Sequence, residues 1–153
     1  MTGGLSGLDR VRALADGQLP PPPMMDVIPF TLLPPERGIV TLTAIPEARF
    51  HNPMGFVHGG WLLTLLDSAM GLAGLTCLEA GTICPTHETA VKFLRPVRVT
   101  TGPIRVTGCV LGSGRSVITL DGTAEAADGT LVAHGTSTCI VTSIPRPNGE
   151  TAT

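Results

Sequence analysis

Asp67 is the one carboxylate in the stretch HNPMGFVHGGWLLTLLDSAMG, residues 51–71, and its neighbours Leu62, Leu63, Leu65, Leu66, Ala69, Met70, Leu72 and Ala73 are apolar on nearly every side. Burying an ionised carboxylate without partners costs several kcal/mol. Asp67 therefore either lies on a narrow solvent stripe with Thr64 and Ser68, or is a base tuned by apolar surroundings. Eight residues upstream, His58-Gly59-Gly60 opens the same helical pattern. The free amides of a first helical turn attract anions, and such amides stabilise the oxyanion that develops in acyl transfer. Two glycines before a helix are weak evidence alone, because glycine is common near helix ends for conformational reasons.

Other chemistries fit less well. His51, His58, His87 and His134 show no zinc-ligand spacing on one element, so no metal site is expected. There is no G-x-S-x-G, and no cysteine stands in a recognisable nucleophile context. The GSGRS stretch at 112–116 lacks the G-K-[ST] of a phosphate loop.

The elements that position these residues follow from periodicity and punctuation. SGLDRVRALADG reads as a short helix with Ser6 as N-cap and Gly17 as its stop, and QLPPPPMM as an extended polyproline-like linker. DVIPFTLL and GIVTLTAI read as strands around a PPERG turn, followed by an irregular loop, PEARFHNPMGFVHGG. A helix is expected over about 60–79, ended by Gly81 at C′. Four strands follow, with glycine at φ > 0 expected in the hairpin turns GSGR and ADGT. In the last strand Leu131, Ala133, Gly135, Ser137, Cys139 and Val141 share one face, small enough to lie close against a helix. A helix apolar nearly all round must be enclosed, and one helix with about six strands achieves that only if the sheet curls around it. The chain divides into residues 1–25 (helix and linker), 26–143 (the α+β domain) and 144–153 (a tail).

Composition bounds the function classes. The chain has 153 residues, 42% hydrophobic and only 14% charged, which is enough for one cored domain and leaves little charge to solvate a monomer. A net charge of -2, with no Lys/Arg cluster, argues against nucleic-acid binding. Cys77, Cys84, Cys109 and Cys139 form no C-x-x-C pair, so reduced thiols and a cytoplasmic location are expected. The apolar run near residues 61–78 is interrupted by Asp67 and Ser68 and makes a poor membrane span.

The motif HNPMGFVHGGWLLTLLDSAMGLAG resembles the signature of hotdog-fold acyl-CoA thioesterases, in the branch of the phenylacetate-degradation and 4-hydroxybenzoyl-CoA thioesterases. That pattern runs Asn-x-x-Gly-x-x-His-Gly-Gly, six residues, then Asp or Glu. Asn52, Gly55, His58, Gly59, Gly60 and Asp67 fall at those spacings, and the resemblance covers residues 30–142. It implies a hotdog fold and hydrolysis of an aromatic or short- to medium-chain acyl-CoA to free acid and CoA. CoA is then part of the substrate, and no separate cofactor is implied.

Residue by residue, the resemblance makes Asp67 the catalytic carboxylate, as general base or nucleophile, and Gly59 the glycine whose amide polarises the thioester carbonyl. It makes Asn52 a holder of the carbonyl or water, Thr86 a hydroxyl that positions the water, and His58 a shared motif residue that organises the loop. Lys92, Arg95, Arg98 and Arg115 are candidates for the CoA phosphates. Eight residues on one helix span roughly 12 Å, so Gly59 and Asp67 of one chain cannot touch one carbonyl. The family's sites across a homodimer interface meet that requirement, with a homotetramer as a dimer of dimers. A hydratase of the same fold needs an Asp-His pair in one loop, and no Asp lies between Glu47 and Asp67. A non-catalytic acyl-CoA-sensing module remains the alternative from another class; it has no need of the buried carboxylate.

Overall fold

The computed structural model describes residues 4–144. Helix α1 (Gly7–Ala15) and a single helical turn α2 (Met24–Val27) precede strands β1 (Thr31–Leu32) and β2 (Ile39–Ala44). The long helix α3 (Gly59–Leu75) follows, then β3 (Thr82–Ile83), β4 (Thr86–Phe93), β5 (Ile104–Ser113), β6 (Val117–Ala126), β7 (Leu131–Ile140) and β8 (Thr142–Ser143). Six strands form one antiparallel sheet in the order β1-β2-β5-β6-β7-β4, and β3 pairs with β8 separately. α3 lies on the inner face of the six-stranded sheet, the hotdog arrangement of an α+β domain.

Period-2 alternation sets what α3 meets. Val40, Leu42, Ile104, Val106, Ile118, Leu120, Ala124 and Ala133 point inward and are essentially inaccessible, against Leu65, Leu66, Ala69, Met70 and Ala73 of the helix. Across β5, β6 and β7 the register aligns Gly108, Gly122 and Gly135 in one row. This row lets the helix approach. A Cβ at Gly108 would stand 2.5 Å from the Ala69 carbonyl, and one at Gly122 3.0 Å from Met70 Sδ. The small inward face of the last strand, Ala133, Gly135, Ser137 and Cys139, is buried as the sequence led one to expect.

Four local expectations change. α3 ends at Leu75, not near residue 79, because Thr76 caps it: its hydroxyl donates to the Ala73 carbonyl at 2.6 Å and accepts from the Gly38 amide at 2.7 Å. Gly81 takes φ +81 in the following turn, outside the helix. Residues 26–33 are not one strand. Pro22 and Pro23 accept the amides of Met25 and Asp26, starting α2, and Pro29 brings no donor, which leaves β1 two residues long. The β5–β6 turn needs no glycine at positive φ; only Gly129 of the β6–β7 turn adopts it.

The N-terminal helix forms as the sequence indicates, with Ser6 Oγ accepting from the Asp9 amide at 3.2 Å. Arg10 of that helix is 9% exposed and donates to the Thr82 carbonyl at 2.6 Å, fastening α1 to β3. All four cysteines are free. No helix of the described residues is long and apolar enough to cross a membrane.

Candidate active site

Asp67 is not enclosed in a dry pocket of the single chain. The buried ridge of α3 is Trp61, Leu62, Leu65, Leu66, Ala69, Met70, Ala73 and Gly74, and Asp67 and Ser68 lie beside it on a half-open stripe. The reason is geometric: with one sheet face to pack on, a helix can bury little more than half of its circumference. What holds the carboxylate is Thr89 of β4, whose Oγ1 donates to Asp67 Oδ1 at 2.9 Å. Thr89 Oγ1 also lies 3.1 Å from Ser137 Oγ, which is 2.9 Å from the Glu88 carbonyl. A hydroxyl has one proton. While Thr89 gives its proton to Asp67, the Ser137 proton serves either Thr89 or the Glu88 carbonyl.

Asp67 opens onto a cavity of about 390 Å³, which Thr86 also lines together with Ser68, Gly71 and Leu72. Thr86 makes no bond to Asp67; its Oγ1 lies 4.0 Å from Cys139 Sγ. The family resemblance pointed to Thr86 and not to Thr89. Its signal was the inward alternation of β4, in which Thr89 and Val91 share the face toward α3. Cys84 lines the cavity as well. Its interaction with Cys139, together with burial, pushes the Cys84 thiol up.

The other end of α3 builds a second concavity. His58 is the N-cap, with Nδ1 accepting from the Gly60 amide at 2.9 Å. That bond ties His58 to loop and helix and leaves the Gly59 amide as the free donor of the turn; no bond to it is present among the described residues. Asn52 Oδ1 accepts from the Met54 and Phe56 amides at 2.9 and 3.1 Å, so its carbonyl organises the loop and only its NH₂ remains for a ligand. Asn52, Gly59, Phe93 and Arg95 line this cavity of about 400 Å³. The Phe93 ring stands where a Gly59 Cβ would lie, 2.9 Å from its tip.

Of the basic candidates, Arg95 alone lines this second cavity. Lys92 lies on the opposite face of β4 from Thr89 and Val91, registered across from His134, and Arg115 sits in the β5–β6 turn. Neither lines either cavity. Arg98 stacks on the Phe56 ring at 4.3 Å. The single chain thus brings Asp67 and Thr86 to one cavity, and Gly59, Asn52 and Arg95 to another. Among the described residues, one cavity holds a carboxylate with no free backbone amide beside it, and the other a free helix-end amide with no carboxylate.

Residues 54–133, from the loop ahead of the helix to the last long strand, match the model of the thioesterase superfamily. The chain belongs to the thioesterase superfamily. A relative from Saccharolobus solfataricus, SSO2140, whose name assigns it provisionally to the esterases, is 33% identical over 96 residues, or 63% of this chain. The chain spans 66% of that relative's length, just under two thirds. A phenylacetic acid degradation-related protein of Ralstonia eutropha is 28% identical with a TM-score of 0.77, over 88% of this thioesterase-family chain and 99% of its own. The protein smu.793 of Streptococcus mutans, solved bound to acetyl-CoA, is 26% identical with a TM-score of 0.69, over 76% and 91% of the two chains.

Proposed function

We propose that this chain hydrolyses acyl-CoA thioesters, with Asp67 as the general base and the Gly59 amide of a second copy as the oxyanion donor. The observation that carries the reading is the division of the site: Asp67, fixed by Thr89, opens to one cavity, while the unpaired Gly59 amide opens to another. Family membership and the acetyl-CoA-bound relative support the substrate class.

In this mechanism Asp67 takes a proton from a water near Thr86, and the water oxygen adds to the thioester carbonyl carbon. Negative charge develops on the carbonyl oxygen, where the Gly59 amide and the helix N-terminus stabilise it. The C–S bond then breaks, and Asp67 returns its proton to the departing CoA sulfur. Alternatively, the carboxylate itself attacks the carbonyl carbon, the C–S bond breaks as CoA leaves as its thiolate and takes a proton from solvent, and water hydrolyses the resulting mixed anhydride to the free acid and the Asp67 carboxylate. Thr89, by donating to one carboxylate oxygen, leaves the other free for either role. The helix end, the Asn52 NH₂ and Arg95 bind the ester from the second side.

The second copy has a place to dock. β4 is the outermost strand of the sheet and its far edge has no partner among the described residues. An edge of that length pairs readily with its equal. Joining two β4 strands sets Thr86 and Thr89 of both copies near the junction. A homodimer follows from this reading, and pairing of dimers is a further step in the same proposal.

Thiol release from a panel of acyl-CoAs, by wild type and Asp67→Ala, tests it. The expected result is turnover by wild type and a loss of at least about a hundredfold in kcat for the folded, dimeric variant. Binding without turnover would sink the hydrolase reading in favour of a sensing module, and a variant that turns over as fast as wild type would remove Asp67 from the chemistry.

A further inference from the structure

The thioesterase reading leaves the acyl group open, and the cavity beside Asp67 has a shape that constrains it. Its helix wall runs from Asp67 through Gly71 and Leu72 to Leu75. From Asp67 to Leu75 the eight residue steps measure roughly 12 Å along the axis. The opposite wall comes from the segment before the sheet: Met24 and Met25 of α2, and Phe30. Met24 is 51% exposed, so this wall is one side chain thick, and Phe30 packs against the core behind it.

Polar side chains gather at one end only. Asp67 and Ser68 stand at the N-terminal end of the helix wall, and Thr86 lies one turn further, 3.8 Å from where a Gly71 Cβ would be. Beyond Gly71 the lining is apolar except for the Cys84 thiol, which is bonded to the Gly71 carbonyl at 3.9 Å. A hydroxyl or charge at the far end of an acyl group would meet no partner there and would lose its hydration. Two methionines on one wall make that wall unbranched and deformable, suited to a flexible chain rather than to one fixed ring.

Resting on the thioesterase reading, we propose that the substrate is an unsubstituted, medium-length aliphatic acyl thioester, and that the arm carrying Met24, Met25 and Phe30 sets its length. An extended chain advances about 1.25 Å per carbon, from bonds of about 1.5 Å. A run of roughly 12 Å from the carboxylate therefore takes an acyl group of about eight to ten carbons. The 390 Å³ cavity is within the range of small-ligand sites.

Gly71 offers the test. It lies midway along the run, and an added Cβ meets nothing closer than Thr86 Oγ1 at 3.8 Å, so Gly71→Leu fits its backbone and puts a side chain into the channel. The measurement is kcat/KM for straight-chain acyl-CoAs from acetyl to palmitoyl, with 4-hydroxybenzoyl-CoA alongside. Wild type should peak at octanoyl or decanoyl, at least about tenfold above butyryl, given roughly fourfold per buried methylene. In Gly71→Leu the decanoyl-to-butyryl ratio should fall at least about twentyfold, through the same methylene contacts. Met25→Ala should move the peak to longer chains. A flat profile, a preference for the hydroxyaryl ester, or an unchanged ratio in both variants overturns the length gauge while leaving hydrolysis intact. If no thioester is cleaved, the hydrolase reading fails by itself, and calorimetric binding of decanoyl-CoA against butyryl-CoA decides the pocket. Tighter decanoyl binding that Gly71→Leu abolishes supports the proposal, and equal affinities refute it.

Discussion

Thr89 Oγ1 and Asp67 Oδ1 are 2.9 Å apart, joining the outermost strand of the sheet to the central helix. An ionised carboxylate accepts this bond strongly, and bonds to charged groups contribute about 1.5–3 kcal/mol. Without it Asp67 is free to rotate away from the cavity. Thr89→Val should lower kcat by about tenfold to a hundredfold with little change in KM. Thr89→Ser should recover most of the loss. Steady-state kinetics on both variants decides whether the hydroxyl orients the carboxylate or merely fills space.

The proposed division of the site between two copies has a consequence that mixing exposes. Gly59 is the first residue of α3, where the backbone accepts proline; proline has no N–H to offer, and its Cβ presses on the Phe93 ring of the same chain, which must turn aside. Gly59→Pro and Asp67→Ala should each be nearly inactive. After subunit exchange, a one-to-one mixture should recover about a quarter of wild-type activity, since half the dimers are mixed and each mixed dimer keeps one intact site. A mixture no more active than its components would place both residues' roles within one chain.

His58 is separable from the chemistry. As the N-cap of α3 it holds the Gly60 amide. His58→Ala should cost about 1 kcal/mol in chemical denaturation, and His58→Asn, a strong N-cap, about half of that or less. If His58→Asn keeps the stability but loses turnover a hundredfold, the imidazole itself takes part.

Gly108 sets the distance between sheet and helix. A methyl group there would lie 2.5 Å from the Ala69 backbone, which no side-chain rotation relieves. Gly108→Ala should destabilise the fold by about 1–3 kcal/mol, the usual range for overpacking. Gly112, at the turn end of the same strand, faces only the Thr119 hydroxyl at 3.2 Å. Gly112→Ala should cost much less in the same thermal melt.

The residue types told most about what sits on the helix and least about what faces it. Strict alternation and a single apolar helix made the wrapped sheet legible, and motif spacing marked Asp67, His58 and Gly59. Thr89 escaped because its role depends on which strand lies beside the helix stripe, and β4 pairs with β7, not with its neighbours in sequence. Whether Asp67 lay buried or on a narrow stripe with Thr64 and Ser68 stayed open in the sequence, because most nearby residues are apolar. Composition does not say which side of a helix the sheet leaves uncovered. Thr76 ended α3 early for a similar reason: its partner Gly38 lies 38 residues away.

The order of strands also fixes when the site can exist. Asp67 and Thr89 are only 22 residues apart, yet β4 finds its sheet partner in β7, where Ser137 meets Thr89 from 48 residues downstream. During synthesis the helix, β4, β5 and β6 all emerge before the strand that anchors Thr89 beside the carboxylate. Long-range pairing of this kind forms late. A growing chain therefore acquires the Asp67–Thr89–Ser137 contacts only when β7, near residue 140, has left the ribosome. Until then β4 carries two open edges, and it has to be kept from pairing with the wrong neighbour.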